Sequence, residues 1–367
     1  MKILVECFWH KESGAYFTYG LAKGLKDNGV DVYALISERS ETRDDFSGLL
    51  SADKIHYWKE SSKATKSLSD ILELYRVGRH FMKTSFDYTI MTFPGRRDLV
   101  VSRVIKSNEN MMVFHDVDPH PGTDDALTKY VNRTLMRADN IIVLSQRYVQ
   151  TVVERFRLDR SNVFFMRHGL MTYQRSAVKY GNADSPAPGS VHFLYFGRIE
   201  PYKGVHVLAD AYNTLRKKYD NISLRIAGDG ILYDELADAL RVSDIQLTNR
   251  YIADVEVDAY FSLPHTVLVL PYLDATQSGV LAIAYDYAIP VISSDAGGLK
   301  EQLFNGEAGL MCTPGDSDAL KRAMERFLSD DSLYDEECQK MRICRSRLEW
   351  KNVVSELLAQ LRSKTKA

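Results

Sequence analysis

Short apolar runs alternate with amphipathic, helix-like segments along nearly the whole chain. The first repeat of this pattern joins an apolar run at residues 3–5 to a helical pattern over 16–27 and a second apolar run over 30–36. A strand, a helix and a strand in this order build a parallel sheet, because parallel strands need a crossover connection. The pattern resumes at residue 191. The sequence therefore predicts an α/β protein with two Rossmann-like halves in succession.

A segment rich in proline, glycine and serine separates the halves, as is typical of a linker. We predict an N-terminal domain over residues 1–172, a linker over 173–190, a C-terminal domain over 191–349, and a closing helix over 350–367 that packs back on the first domain. Further strands are predicted at 88–91, 111–114, 140–144, 163–166, 191–196, 223–227, 266–270 and 290–293, and further helices at 68–81, 205–218, 231–240, 281–287 and 317–329.

Composition excludes a disordered, a collagenous or a disulfide-scaffold protein. The 367 residues suit two domains, and 45% hydrophobic with 26% charged residues is ordinary for a globular chain. No apolar run approaches the roughly 20 residues that cross a bilayer, and the start resembles no signal peptide. Four cysteines match no zinc spacing and indicate reduced thiols in a cytoplasmic protein.

Charge gives a weaker signal. The net charge of −2 indicates no nucleic-acid partner. Residues 1–170 hold 25 basic and 22 acidic side chains, a net of +3. That excess would favour peripheral contact with an anionic membrane. Ordinary surface scatter is the simpler explanation of so small a difference.

The segment 193–204 is the most informative one. An apolar strand ends at Gly197, two cations follow at Arg198 and Lys203, and a helix begins after Gly204. Amides at a helix start bind anions, Arg grips phosphate oxygens in a bidentate way, and Lys adds a point charge. The coincidence of glycine, strand end and helix start favours a phosphate site over two merely solvated cations.

This segment resembles the nucleotide-binding loop of retaining glycosyltransferases with the GT-B fold, family 4 in particular. Other pieces that resemble the family occur in the same order, at residues 13–15, 21–25, 224–230, 290–301, 306–316 and Trp350. The resemblance implies two Rossmann-like domains that face a central cleft, and a cytoplasmic enzyme of cell-surface polysaccharide synthesis at the inner face of the membrane. The implied partners are a nucleoside-diphosphate sugar and a glycan or lipid-linked acceptor, with no cofactor.

The chain departs from the family in its donor loop. The family usually carries a pair of glutamates here, but both alignments of residues 274–284 lack both carboxylates. Thr276, Gln277 and Ser278 can still hydrogen-bond a sugar or phosphate, with Gly279 allowing close backbone approach. The alternative is a degenerate, inactive site. Glu301 is a candidate ribose ligand, or else an idle glutamate in a first helical turn.

The resemblance also assigns roles to individual residues. Arg198 and Lys203 would stabilise the departing diphosphate, and His115 would meet the acceptor hydroxyl with Asp116 as its orienter. A packed histidine and a loop-capping aspartate are the alternative for that pair. The remaining donor-side glycines are Gly14, Gly197, Gly228, Gly297 and Gly298.

We expect catalysis without a metal ion. Residues 116–118 match an Asp-x-Asp motif, and they fall in the half assigned to the acceptor. Two alternative functions stay open. A nucleotide-sugar 2-epimerase would use the same phosphate loops, and a non-catalytic sugar-nucleotide-binding protein would fit the missing glutamates. A dehydrogenase is disfavoured, because the first loop lacks a Gly-x-Gly-x-x-Gly pattern.

Overall fold

Two compact units make up the chain in a computed structural model. Unit 1 is Met1–Met171 together with Leu348–Ala367, and unit 2 is Thr172–Arg347. The structure describes residues 1–9, 12–60, 66–95, 97–117, 135, 137–173, 190–242 and 244–366. Nearly all of the predicted linker lies outside these described residues.

Unit 1 is built on a seven-stranded sheet in which every paired strand is parallel. Its strands are β1 (Lys2–Cys7), β2 (Asp31–Ser37), β3 (Ile55–Trp58), β4 (Phe86–Met91), β5 (Ser107–Phe114), β6 (Asn140–Val143) and β7 (Val163–Phe165), in the order β3-β2-β1-β4-β5-β6-β7. The helices described before the end of this unit's sheet are α1 (Glu12–Asp27), α2 (Arg43–Leu49), α3 (Lys66–His80), α4 (Asp98–Val101) and α5 (Val149–Phe156).

Unit 2 repeats this plan with a six-stranded parallel sheet. Its strands are β8 (Val191–Phe196), β9 (Ile222–Gly228), β10 (Gln246–Asn249), β11 (Thr266–Leu270), β12 (Val291–Ser294) and β13 (Leu310–Cys312), in the order β10-β9-β8-β11-β12-β13. Its helices are α6 (Val205–Arg216), α7 (Asp234–Leu240), α8 (Asp254–Phe261), α9 (Gly279–Tyr287), α10 (Leu299–Gln302), α11 (Ser317–Ser329) and α12 (Leu333–Arg345).

The last helix, α13 (Trp350–Lys366), belongs to unit 1 and packs on α1. Its apolar side chains join the core beneath the sheet, and the Trp350 indole donates a hydrogen bond of 2.8 Å to the carbonyl of Leu170. Three glycines leave room for this residue, because a Cβ on any of them would lie within 2.0–2.5 Å of Trp350 atoms; they are Gly20, Gly24 and Gly169.

The predicted α/β class is confirmed, since both sheets are parallel and carry helical crossovers. Some boundaries were wrong. The first helix begins at Glu12 rather than residue 16, so Gly14 lies in a helix and not in a loop. Helix α7 begins at Asp234 rather than residue 231, because Tyr233 is extended and caps it. Among the described residues, no helix is both long and apolar enough to span a bilayer.

Candidate functional site

The strand order of unit 2 turns around β8, which lies between β9 and β11. From β8 the chain adds β9 and then β10 on one side. It then crosses over and adds β11, β12 and β13 on the other side of β8. In parallel sheets ligands bind outside the carboxyl ends of the strands at such a switch point. The loops that follow β8 and β11 are therefore the first place to look for a site.

Glycines let the loops after β8 and β9 approach each other closely. Gly228 has a φ of +151°, and a Cβ there would lie 1.8 Å from the carbonyl oxygen of Gly197. The amide of Gly197 donates to the carbonyl of Ala227 at 3.0 Å, so the contact continues the sheet beyond the end of β8. Gly197 and Gly228 thus lie at the carboxyl ends of neighbouring strands, and side chains there would force the two loops apart.

Of the two predicted cations, Arg198 precedes a single turn of 3₁₀ helix and Lys203 is the last residue of that turn. Arg198 is exposed, and its guanidinium lies 3.3 Å from the hydroxyl of Tyr202. Lys203 is half-buried at the end of the turn, and Gly204 then caps α6 with a φ of +64°. A Cβ on Gly204 would lie 2.1 Å from the carbonyl oxygen of Pro271, so a glycine is required where this loop meets the segment after β11.

Tyr272 connects the turn that ends at Lys203 to residues 276–279, the predicted donor loop. The ammonium of Lys203 lies 3.7 Å from the centre of the buried Tyr272 ring, within the range of a cation–π interaction. The Tyr272 hydroxyl lies 3.4 Å from the hydroxyl of Ser278. Sequence reasoning missed this residue, because only the fold brings Lys203 and Tyr272 together.

The donor loop, residues 276–279, is held by the side chain of Gln302 at the end of α10. The amide of Ser278 donates to Gln302 Oε1 at 2.7 Å, and Gln302 Nε2 donates to the Ser278 carbonyl at 3.2 Å. Helix α9 starts at Gly279, directly after this two-way contact. Gln302 was not predicted either, since an interior glutamine carries no signal of a partner 24 residues away.

Two polar atoms of the donor loop are buried without a partner. Thr276 is 3% exposed, and its hydroxyl makes no hydrogen bond in the structure; the same is true of Gln277 Oε1. Buried polar groups are nearly always satisfied, so such atoms need an explanation. A ligand that offers hydroxyl groups would supply the missing partners.

The paired-glycine turn lies against the same loop. The amide of Gly298 donates to the carbonyl of Ala275 at 3.2 Å, which places residues 297–298 beside the donor loop. Glu301 lies in the short α10, partly buried. Its predicted contact with a ribose stays a prediction.

The other predicted residues lie in unit 1. His115 follows β5, and its Nε2 lies 2.9 Å from the carbonyl oxygen of Thr92, so Nε2 carries the proton of the neutral ring. The ring stacks on Phe93 at 4.0 Å. Burial lowers the pKa of His115 to about 4, which keeps it neutral near pH 7. Asp116 is exposed beside it.

Gly14 has a packing role in unit 1. A Cβ there would lie 2.5 Å from the indole of Trp9. This contact accounts for the glycine without a ligand. Its predicted contact with the donor stays a prediction.

Unit 1 also contains a buried pair of carboxyl groups that sequence reasoning missed. Glu6 near the end of β1 and Asp98 at the start of α4 are 0% and 1% exposed. Gly95 donates its amide to Asp98 Oδ2 at 2.6 Å, and apart from each other the Glu6 oxygens and Asp98 Oδ1 have no hydrogen-bond partner. Burial raises the pKa of Glu6 well above its usual range, with the nearby Asp98 adding to the effect. Burial likewise raises the pKa of Asp98 to about 6.

Within the described part of the chain, no three His, Cys, Asp or Glu side chains form a group that could hold a metal ion. Asp118 of the formal Asp-x-Asp match and the nearby His120 lie outside the described residues. Metal-independent catalysis stays a prediction.

Comparison with known proteins identifies unit 2. Residues 190–330 match the family model for glycosyl transferases group 1. Over these residues the chain is similar to that family. The group 1 match covers both cations, the donor loop and the paired-glycine turn, and it confirms the family resemblance over these residues.

Two curated relatives extend the comparison. The chain is 28% identical over 225 residues to a glycogen synthase of Mycobacterium tuberculosis, covering 59% of the chain and 52% of that protein. It is 24% identical over 245 residues to a phosphatidyl-myo-inositol mannosyltransferase of Mycobacterium leprae, covering 65% of the chain and 64% of that protein. The chain thus spans about half of the first relative's length.

A solved structure covers the complete chain. Anabaena HepE in complex with UDP-glucose superposes with a TM-score of 0.69 at 16% identity, over 100% of both chains. Identity this low shows the fold alone. The predicted GT-B fold is confirmed.

Proposed function

We propose that the chain is a retaining glycosyltransferase that moves a sugar from a nucleoside diphosphate to a glycan or lipid-linked acceptor. The family of unit 2 supports a transferase and disfavours the epimerase alternative. HepE was solved with UDP-glucose, which supports a nucleotide-sugar donor. A relative that is a phosphatidyl-myo-inositol mannosyltransferase supports a lipid-linked acceptor. A cytoplasmic role at the inner face of the membrane, in polysaccharide synthesis, completes the proposal.

The observation that carries the proposal is the pairing of a cationic turn with unsatisfied polar atoms. The ammonium of Lys203 packs on the ring of Tyr272, and the hydroxyl of Tyr272 lies near Ser278 of the donor loop. In the same loop, Thr276 and Gln277 have buried oxygens without partners. A diphosphate needs cations, and a sugar needs hydrogen-bonding groups. Unit 2 offers both on adjacent loops of one sheet edge.

In the reaction, the bond between the anomeric carbon and the diphosphate breaks, and a bond to the acceptor oxygen forms on the same face of the sugar. Arg198, Lys203 and the amides near Gly297 and Gly298 would stabilise the charge on the departing diphosphate. The acceptor proton passes to that diphosphate. His115, neutral and with its Nδ1 unprotonated, stays the predicted partner of the acceptor hydroxyl.

A panel of sugar nucleotides in a thermal-shift assay would identify the donor, since a ligand that binds only folded protein raises the melting temperature. With that donor, R198A and K203A are each expected to lower turnover about 100-fold, the usual effect of losing one preorganised charge partner. R322A, on an exposed face of α11, is the control. Near-normal turnover in both variants would refute the assignment.

Calorimetry with sugar nucleotide and bare nucleoside diphosphate then locates the sugar. Q277A and S278A should weaken binding of the sugar nucleotide and leave the bare diphosphate nearly unaffected. Equal losses of affinity for both ligands would show that the loop contacts the nucleotide rather than the sugar. The anomeric configuration of the product, measured by NMR, tests retention directly.

The missing carboxylates favour a second candidate, a protein that binds sugar nucleotides without turnover. Neither alignment of the donor loop places an acid at the family's glutamate positions. This candidate predicts tight donor binding with no transfer to any acceptor and no slow donor hydrolysis. Detectable hydrolysis that depends on Lys203 would decide for the enzyme.

A further inference from the structure

Exposed apolar side chains are concentrated on one part of unit 1. Six large hydrophobic residues between positions 71 and 104 are at least 40% exposed, and Tyr75 and Ile71 reach 65% and 63%. We name this surface the α3–α4 patch. Its members are Ile71, Leu72, Tyr75, Met82, Val100 and Val104.

The patch combines one face of α3 with Met82 beyond its end and with Val100 and Val104 in and after α4. Helix α3 packs on the core through Val77, with Phe81 following it. At about 100° per residue, Ile71, Leu72 and Tyr75 lie on the opposite side of the helix. Val104, which follows α4, lies alongside α3, since a Cβ on Gly78 would lie 3.7 Å from it.

Cations surround the patch. Arg79, Lys83 and Arg103 are exposed, and among the described residues they form no ion pair or side-chain hydrogen bond. Residues 66–106 hold eight Lys and Arg against four Asp and Glu. Two of those acids, Glu73 and Asp98, are buried. Arg76 pairs with Glu73 and Arg97 with Asp70, so Arg79, Lys83 and Arg103 give the described surface of this segment a positive charge.

We propose that the α3–α4 patch docks unit 1 on an anionic phospholipid surface. An apolar helix face with a cationic border enters the boundary between headgroups and acyl chains, and its cations meet lipid phosphates. A second copy of the chain is a poorer occupant, since it would bring unpaired cations against each other. This inference specifies the membrane contact proposed above and does not depend on the donor chemistry.

Co-sedimentation with vesicles tests the proposal. The full chain, without sugar nucleotide, is mixed with phosphatidylcholine vesicles that contain about one-third phosphatidylglycerol, and separately with pure phosphatidylcholine. We expect binding to the anionic vesicles only. The paired substitution I71S/Y75S should weaken it about tenfold by removing apolar contact. R79Q/R103Q should weaken it roughly 25-fold, at about fivefold for each cation near the surface.

Two controls carry matched changes in unit 2. I343S replaces an exposed isoleucine of α12, and R322Q replaces an exposed arginine of α11. Both should bind like the unaltered chain, and circular dichroism should show all variants folded. Unaltered binding by the patch variants would overturn the proposal, as would no vesicle binding at all. A dimer that I71S/Y75S converts to a monomer would show a self-association surface instead. None of these outcomes bears on nucleotide binding, which is measured separately.

Discussion

Tyr272 contacts two predicted donor-site residues at once, and its two chemical parts make separate contacts. The ring faces the ammonium of Lys203 at 3.7 Å, and the hydroxyl lies 3.4 Å from that of Ser278. The residue itself is buried. Its ring therefore sets the position of Lys203, while its hydroxyl contributes only a long hydrogen bond.

Substitutions separate the two contributions of Tyr272. Y272L removes the closer of two cation–π contacts of Lys203, at 3.7 Å against 5.0 Å for Tyr202, and such a contact is worth about 0.5–2 kcal/mol, so affinity for a nucleoside diphosphate should fall roughly 2- to 30-fold. Y272F keeps the ring and should remain within about twofold of the unaltered protein. Titration calorimetry with the nucleoside diphosphate that the thermal-shift panel identifies measures both affinities. Equal behaviour of the two variants would show that the ring does not position Lys203.

Thr276 allows a sharper test of the donor loop. T276V replaces the unpartnered hydroxyl by a methyl group of similar shape, which removes a buried polar atom at little steric cost. The free protein should therefore be as stable as the unaltered one, or more stable by about 1 kcal/mol. Affinity for the sugar nucleotide should fall by about 1–3 kcal/mol, with bare nucleotide unaffected.

Chemical denaturation and calorimetry give the two quantities for Thr276. A variant that is destabilised, yet binds the donor normally, would mean that the hydroxyl has a partner within the protein.

The Glu6–Asp98 pair predicts a dependence of stability on pH. The folded protein raises both carboxyl pKa values above the ordinary value of about 4, so ionisation opposes folding. Stability should fall as pH rises from about 4 through 6 and beyond. E6Q cannot ionise, so it should gain stability relative to the unaltered protein across that range, by about 1–3 kcal/mol at pH 8. Urea denaturation at pH 5 and pH 8 measures the gain; an equal difference at both pH values would contradict it.

Glycines in two helices of unit 1 show how context decides the effect of one residue type. Gly24 in α1 faces α13, and a Cβ there would lie 2.5 Å from the carbonyl oxygen of Trp350. Gly48 in α2 has nothing within 4 Å. Helix propensity alone would favour alanine at both positions.

The two alanine variants should change stability in opposite directions. G48A is expected to stabilise the protein by up to about 1 kcal/mol, as alanine does in an open helical position. G24A should destabilise it by about 1–3 kcal/mol, because backbone must move to admit the methyl group. Thermal denaturation of both checks the signs. If G24A stabilises the protein instead, α13 moves away from the added methyl group at little energetic cost.

Elements with a strong local pattern could be predicted from sequence, and those without one could not. Strands 266–270 and 191–196 are apolar runs buried along most of their length, and the structure has both where they were predicted. Strand β10, with the sequence QLTN, lies at a sheet edge with no buried residue, so periodicity gave no signal.

In the site, too, only residues with a local sequence pattern could be predicted. Arg198 and Lys203 carry a local signal, glycines and cations in a short loop. Tyr272, Gln302 and the Glu6–Asp98 pair depend on contacts between distant segments, and no spacing in the sequence announces such contacts.

At the scale of the whole molecule, the chain leaves unit 1 near residue 171 and returns to it at residue 348. The returning segment completes the core of unit 1 with five buried side chains, Val353, Val354, Leu357, Leu358 and Leu361. Further contacts fix its register. Gln360 Nε2 donates to the carbonyl of Phe165 at 2.7 Å, and Lys364 pairs with Glu109 at 2.7 Å. Unit 2 has its own six-stranded sheet and receives no element from residues beyond 347.

A chain that ends at Arg347 should therefore lose the structure of unit 1 and keep that of unit 2. Burying five aliphatic side chains contributes roughly 10 kcal/mol at about 2 kcal/mol each, which is comparable to the total stability of a domain. The nucleoside diphosphate that the thermal-shift panel identifies should still raise the melting temperature of the shortened chain, because the predicted ligand-binding residues lie in unit 2. Limited proteolysis should cut within residues 1–171. A chain that ends at Lys364 keeps the five side chains and should resist cleavage like the full protein. Protection of residues 1–171 in the chain ending at Arg347 would show that unit 1 folds without its last helix.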